Sequence, residues 1–214
     1  EIPLRLVGSE MCIRDSPMSW PIVKLGEVCE VRLGRTPARA NKAYWEDGEK
    51  RYPWVAIKDM GQSFVLSQTM ECITQKALDE CFGGVLVPKG TLLLSFKLSI
   101  GKVAILGIEA IHNEAIASIR PVVPNIQTAF LAYVLPQLVA KIKATEAVKG
   151  KTLNRKQICE LPLPLPPLFE QEQIVEELER KLSRLERVEQ VAREAVAVCA
   201  QARRAVLAEA FRHE

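Results

Sequence analysis

Residues 161–168, LPLPLPPL, place prolines at 162, 164, 166 and 167. Each proline fixes φ and lacks an N–H, so this stretch cannot be helical and favours a stiff extended path. From Leu168 to Glu214 there is neither proline nor glycine, so nothing there breaks a helix. The chain must change character at this elbow, and whatever folds before it hands over to a long helix.

An apolar or small stripe runs along that helix through Val175, Leu178, Leu182, Leu185, Val188, Ala192, Ala195, Cys199, Ala202, Val206 and Ala210. Spacings of three and four mostly alternate, a heptad-like pattern with one irregularity between Leu185 and Ala192. The first half is bulky, and the second half is mostly alanine, which lets a partner helix approach closely. At ~1.5 Å per residue the helix is ~66 Å long. So thin an element cannot bury its own stripe. Residues 169–214 are therefore expected to form a coiled coil, with Val175, Leu178, Leu182, Leu185, Val188, Ala192, Ala195 and Cys199 as pairing positions.

Before the elbow, short apolar runs alternate with turn residues, as in a β-rich domain. Val23–Gly34 suggests a helical turn followed by a strand, and Arg35–Trp45 a loop. Tyr52–Met60 reads as a strand entered through Pro53. Thr74–Cys81 has helical spacing and is closed by Gly83 and Gly84. Gly90–Phe96 and Gly101–Gly107 read as strands, Glu109–Val122 adds at least one more, and Thr128–Ala144 is a helix that Pro136 should kink or split. A 48% share of hydrophobic residues is enough for a real core. No apolar run approaches the ~20 residues that span a bilayer.

Charge is divided unevenly. Residues 18–168 hold 19 Lys+Arg against 13 Asp+Glu, a balance of +6, and residues 169–214 hold 8 against 10. A basic globular part on a mildly acidic helix permits a nucleic-acid partner. Six scattered cysteines contain no C-x-x-C pair, and only two histidines exist, so no metal module is expected. Buried thiols in a reducing cytoplasm account for them. Residues 1–17 are not a targeting signal. LVGSEMCIRDS, Leu6–Ser16, resembles a translated sequencing adapter, which would put the natural start at Met18. Nucleotide-binding, metalloprotease and serine-hydrolase motifs are absent. Asp47 and Glu49 beside Lys50 read as a solvated turn, His112 as a structural histidine, and Trp45 and Trp54 as core. No cofactor and no catalysis are expected.

Several blocks, in order, resemble the specificity subunits of Type I restriction-modification systems: WPIVKLGEVCEVRLGRTP from Trp20, the pair Tyr44-Trp45, YPWVAIKDM from Tyr52, PKGTLLLSFKLSIGKVAI from Pro88, HNEAI from His112, GKTLNRKQI from Gly150, and the elbow PLPPLFEQEQIV. The resemblance spans Trp20 to Phe211. It departs at His112, where a small or hydroxylated residue is more usual, and in carrying one copy of a unit that members ordinarily carry twice. The chain is then either a fragment or a half-size subunit that pairs with itself. The resemblance implies an α/β (α+β) fold: a target recognition domain of twisted strands with flanking helices over residues 18–160, a proline elbow over 161–168 and a coiled-coil spacer helix over 169–214. It further implies that the domain reads half of a split site in double-stranded DNA. The modification (methyltransferase) and restriction subunits would be the protein partners.

For that role Arg32, Arg35, Arg39, Asn41, Lys42 and Tyr44 form a first candidate set, since guanidinium and amide groups read guanine and adenine edges. Lys149, Lys151, Asn154, Arg155 and Lys156 around Gly150 suit phosphates, with Lys97 and Lys102 on the same face. Two other readings compete. A coiled-coil adaptor could use Pro164 and Pro167, at P-x-x-P spacing, as a docking peptide. A fragment of a modification enzyme would need cofactor motifs that these residues lack.

Overall fold

The computed structural model describes residues 20–46, 50–61, 64–97, 99–145 and 153–211. They divide into two compact units between Gln171 and Glu172. The first unit is built on three sheets. β2 (Cys29–Leu33), β9 (Ile116–Pro121), β6 (Leu92–Ser95), β7 (Val103–Leu106) and β4 (Val65–Leu66) form a five-stranded sheet in that spatial order. β5 (Glu71–Thr74), β3 (Arg51–Val55) and β8 (Ile111–His112) form a second. The third is a single pair, β1 (Ile22–Lys24) with β10 (Pro162–Pro164).

β6 lies at the centre of the large sheet, and all four of its residues are buried. Leu93 joins Val55, Met60, Leu66, Leu106 and Ile116 in one core cluster. Alternation sends Leu92 and Leu94 to the opposite face, and the helix α3 (Thr128–Thr145) packs against β6 and β7. A second cluster, Trp54, Ile73, Ala77, Leu78 and Ile111, lies where α2 (Gln75–Phe82) covers the three-stranded sheet. Thr74 caps α2 by accepting from the Ala77 N–H, and Gly83, at φ 64°, ends it in the left-handed conformation that glycine adopts without strain.

The proline segment is more than an elbow. It is a strand. Register pairs Ile22 with Pro164, Val23 with Leu163 and Lys24 with Pro162. Leu165 donates to Pro21 O (2.9 Å) and Leu25 to Leu161 O (3.0 Å), so the leucines occupy the hydrogen-bonded positions. The prolines fall between them, where the missing N–H costs the ladder nothing. Leu161, Leu163 and Leu165 are buried. Four further hydrogen bonds close the junction. Trp20 Nε1–H donates to Glu170 at 2.9 Å. The fully buried Gln171 side chain accepts from the Gln127 N–H (2.9 Å) and donates to Asn125 O (2.9 Å) and Pro166 O (2.8 Å). Pro164 is thus buried and paired, which removes it from the exposed peptide that the adaptor reading requires.

Two expectations change. The strand expected over Tyr52–Met60 ends at Val55, and Ile57–Asp59 is a 3-10 turn because the Asp59 carboxylate accepts from the N–H groups of Ala56 (2.8 Å) and Met70 (3.1 Å). α3 continues through Pro136 without a break. Its neighbours Leu131, Val134, Leu135, Leu138 and Val139 are buried, and that packing offsets the ~3 kcal/mol that an internal proline costs. Just before the elbow, Asn154 caps the short helix α4 (Arg155–Cys159), with Gln157 bonding back. The last helix, α5, runs from Leu168 to Ala210, 43 residues. Among the described residues, no helix is long and apolar enough to cross a membrane.

Candidate nucleic-acid interface

Topology gathers the basic candidates. β2 and β6 both pair antiparallel with β9, and the register aligns Leu33 and Leu94 with the same residue, Ala117. The chain after β2, the chain after β6 and the loop before β9 therefore share one edge of the sheet. β7 begins there too, with Ser95 donating to Lys102 O at 2.9 Å. Four more backbone bonds tie the edge together: Gly34 N–H to Ile116 O (3.2 Å), Arg35 N–H to His112 O (3.0 Å), Phe96 N–H to Ala115 O (3.0 Å) and Leu153 N–H to Phe96 O (3.2 Å). Arg35, Lys97, Lys102 and the start of α4, with Asn154, Arg155 and Lys156, thus meet around the HNEAI loop. Lys149 and Lys151 lie outside the described residues.

Gly34 makes the closeness possible, since a Cβ there would overlap the carbonyl oxygens of His112 and Asn113. His112 is buried, with Nδ1 3.3 Å from Asn113 O, and burial lowers its pKa to about 4. It is a neutral structural group at physiological pH. Glu114, next in the loop, accepts from the Thr36 hydroxyl, which holds its carboxyl below the usual range, and Lys97 and Arg39 act in the same direction. One acid therefore stands amid the basic groups, and the sequence reading overlooked it.

The loop from Gly34 to Glu46 lies across the three-stranded sheet. Trp54 Nε1–H donates to Arg35 O (3.1 Å), Thr74 Oγ1 to Ala43 O (2.7 Å), and the Tyr44 hydroxyl to Glu80 (2.6 Å). Trp45 meets Trp54 edge to face at 5.1 Å, and the Arg39 guanidinium covers both rings while donating to Glu71 at 2.9 Å. That bond, foremost, holds the Glu71 carboxyl below its ordinary range. Asn41 spends its side-chain oxygen on the Ala43 N–H, and Lys42 pairs with Glu46 at 3.6 Å.

The remaining candidates differ in commitment. Arg32 pairs with Glu30 at 2.6 Å, and Arg120 from β9 pairs with the same carboxylate at 3.0 Å. Arg155 Nε–H donates to Val31 O at 2.8 Å, and Lys102 Nζ reaches Met60 O at 3.4 Å. Among the described residues, Arg35 and Lys156 are exposed and carry no ion pair, so both are available to an anion. No group of three or more His, Cys, Asp or Glu among the described residues is placed to hold a metal.

On α5, Val175 is buried, Leu178 half-buried, and Leu182, Leu185, Val188, Ala192, Ala195 and Cys199 are exposed. Glu177 is held by Arg180 (2.6 Å) and Lys181 (3.1 Å), and Glu189 by Arg193 (2.6 Å), so charge pairs flank the bare stripe.

A family profile described as the Type I restriction modification DNA specificity domain matches residues 17–192. The Type I restriction enzyme MjaIX specificity subunit of Methanocaldococcus jannaschii is 29% identical over 163 residues, covering 74% of this chain and 37% of that protein. The EcoR124I/EcoR124II specificity subunit of Escherichia coli is 25% identical over 177 residues, covering 79% and 42%. The chain thus spans about two-fifths of the length of these curated relatives. Among solved structures, the HsdS subunit from Thermoanaerobacter tengcongensis matches with a TM-score of 0.66 and 22% identity, over 93% of this chain and 46% of that one. A chain from a structure on complex assembly and conformational transition of the type I R-M system matches with a TM-score of 0.74 and 23% identity, over 93% and 47%. At these identities the two structures establish a shared fold, mixed α/β with a long final helix.

Proposed function

The chain belongs to the Type I restriction-modification DNA specificity family, and from that premise we propose that its first unit reads one half of a split target in double-stranded DNA. The observation that carries this is the shared sheet edge, where Arg35, the pair Lys97 and Lys102, and Lys156 arrive from three different parts of the sequence. Cations on a backbone network, of which Arg35, Lys102 and Lys156 are exposed and Lys97 is half-buried, suit phosphate contact, and the neighbouring loop offers side chains for base edges. In this reading the chain performs no chemistry. It works in the cytoplasm as a scaffold, and the methyltransferase and restriction subunits that dock on it methylate and cleave.

The second unit sets a distance. Two copies pair antiparallel through the stripe from Leu182 to Cys199, placing two reading units on one assembly and implying a pseudo-palindromic target. At ~1.5 Å per residue α5 is ~64 Å long, about two turns of DNA at ~34 Å each.

The test is duplex binding by the full chain as a function of salt. Neutralising about four phosphates gives a slope of log K against log salt near −3.6. Lys156→Ala is expected to lower affinity equally for all sequences and to make the slope shallower by about one unit. A flat salt response, including in the presence of the methyltransferase subunit, sinks the reading.

A further inference from the structure

Among the candidate readers one side chain stays accessible while an ion pair and two aromatic rings together hold it; Arg32 has the ion pair without the rings. Arg39 stacks its guanidinium 3.8 Å from the centre of the Trp45 ring and 4.7 Å from that of Trp54. Its Nη2 donates to Glu71 Oε2 at 2.9 Å, yet the side chain stays 52% exposed. Each support is itself anchored. Glu71 is also gripped by Lys58 at 3.4 Å. Trp45 donates Nε1–H to Ala38 O (3.2 Å), and its own carbonyl accepts from Arg51 (2.6 Å). Trp54 is buried and bonded to Arg35 O. An open cavity of about 390 Å³, lined by Arg39, Trp45, Arg51, Met70, Glu71 and Cys72, lies beside the guanidinium.

The neighbours lack this combination. Asn41 has its amide oxygen occupied, the Tyr44 hydroxyl is spent on Glu80, and Lys42 offers a point charge on a flexible stem. Arg35 is exposed, and no ion pair among the described residues fixes its plane. An arginine fork reads the O6 and N7 edge of guanine with two parallel bonds, and such a contact discriminates best when orientation is settled before binding. One of the five guanidinium N–H groups of Arg39 is committed to Glu71, which leaves enough donors for a two-bond contact with that edge.

We infer that Arg39 is the guanine-reading side chain of this domain, and that Glu71 and Trp45 are positioning residues that hold its guanidinium plane in the reading pose. The inference rests on the DNA-reading function proposed above and names the residue that sets one base of the target. Glu71 bridges Arg39 and Lys58, and Arg39 is the partner that carries a guanidinium fork, so loss of Glu71 should blur the same base that Arg39 reads.

The experiment selects bound sequences from a randomised DNA duplex with the full chain, its Arg39→Lys, Glu71→Gln and Trp45→Leu variants, and the double variant Arg39→Lys/Glu71→Gln. Wild type is expected to enrich a motif containing guanine. Arg39→Lys should lose preference at one guanine position by about tenfold or more, with other positions unchanged. Glu71→Gln and Trp45→Leu should soften that same position, and the double variant should be no worse than Arg39→Lys alone. Circular dichroism checks folding, and Glu71→Gln decides the matter if the larger changes unfold the domain. A guanine preference indifferent to Glu71→Gln, or a loss spread evenly over the motif, overturns the inference. No motif from the wild type overturns the DNA-reading function on which it rests.

Discussion

The two units of this chain solve the burial problem in opposite ways. Up to Gln171, polar and apolar groups find partners far away in sequence: Trp20 with Glu170, Arg155 with Val31, Gln171 with Asn125. From Glu172 onward, the ion pairs among the described residues join residues three or four apart, and Leu182, Leu185 and Val188 stand open to solvent. The described part of the first unit buries its apolar clusters within itself, and most of the stripe on the second is exposed. A helix satisfies its backbone locally whatever its surroundings, whereas its apolar stripe needs another packed surface. With the self-pairing proposed above, folding and assembly fall to separate stretches of sequence, and each can be broken alone.

The largest effect should come from the helix. Replacing Leu182 and Leu185 with glutamate is expected to weaken self-association by about 4 kcal/mol or more, roughly a thousandfold in Kd. The thermal transition of the first unit should not move. Light scattering at tens of micromolar reads the first outcome and calorimetry the second. A wild-type monomer would remove the pairing proposal, and a shifted transition would show that the two units are not separable.

A smaller effect belongs to the first unit alone and follows from His112. Its folded pKa of about 4 lies below the ~6.5 of an unfolded histidine, so between these values the unfolded state binds more protons. The stabilisation is fully present above pH ~6.5 and is lost as pH falls toward 4, about 3 kcal/mol in all. Urea unfolding followed between pH 7.5 and 5 should show this slope, and His112→Gln should flatten it. Association through α5 should be indifferent to the substitution.

The smallest of the three changes lies at the junction. Gln171→Ala leaves the Gln127 N–H and the Asn125 and Pro166 carbonyls without their partner, at a cost of about 2 kcal/mol. Chemical denaturation measures the loss. If it falls on the first unit, Gln171 belongs there despite being the fourth residue of α5.

Legibility in the sequence followed the same division. The helix and its stripe could be read directly, because period and the absence of breakers are local properties. β6, β7, α2 and the turn before β2 could be read for the same reason. What stayed hidden depends on partners distant in sequence. Nothing local says that Pro162 and Pro164 will fall between hydrogen-bonded positions of β1, or that buried neighbours will carry α3 through Pro136. The candidate site was legible as a set of residue types and not as an arrangement. Arg35, Lys97 and Lys156 were visible as cations, but only strand register brings them to one edge. Glu71 and Glu114 were passed over because their significance comes from Arg39 and Thr36, 32 and 78 residues away.

The ladder between β1 and β10 also has a mechanical side. The incoming chain reaches β1 at Ile22, and the outgoing chain leaves β10 at Pro164, and these two residues are paired. Tension between the incoming strand and the first turn of α5 would load the ladder at that end and peel it pair by pair toward Lys24 and Pro162, not shear all its bonds together. Among the described residues, the Trp20–Glu170 bond, the Leu165–Pro21 bond and the bonds of Gln171 to Pro166, Asn125 and Gln127 stand ahead of the peeling front. Strain arriving along the helix would therefore open this seam before it reached the sheet edge or the loop bearing Arg39.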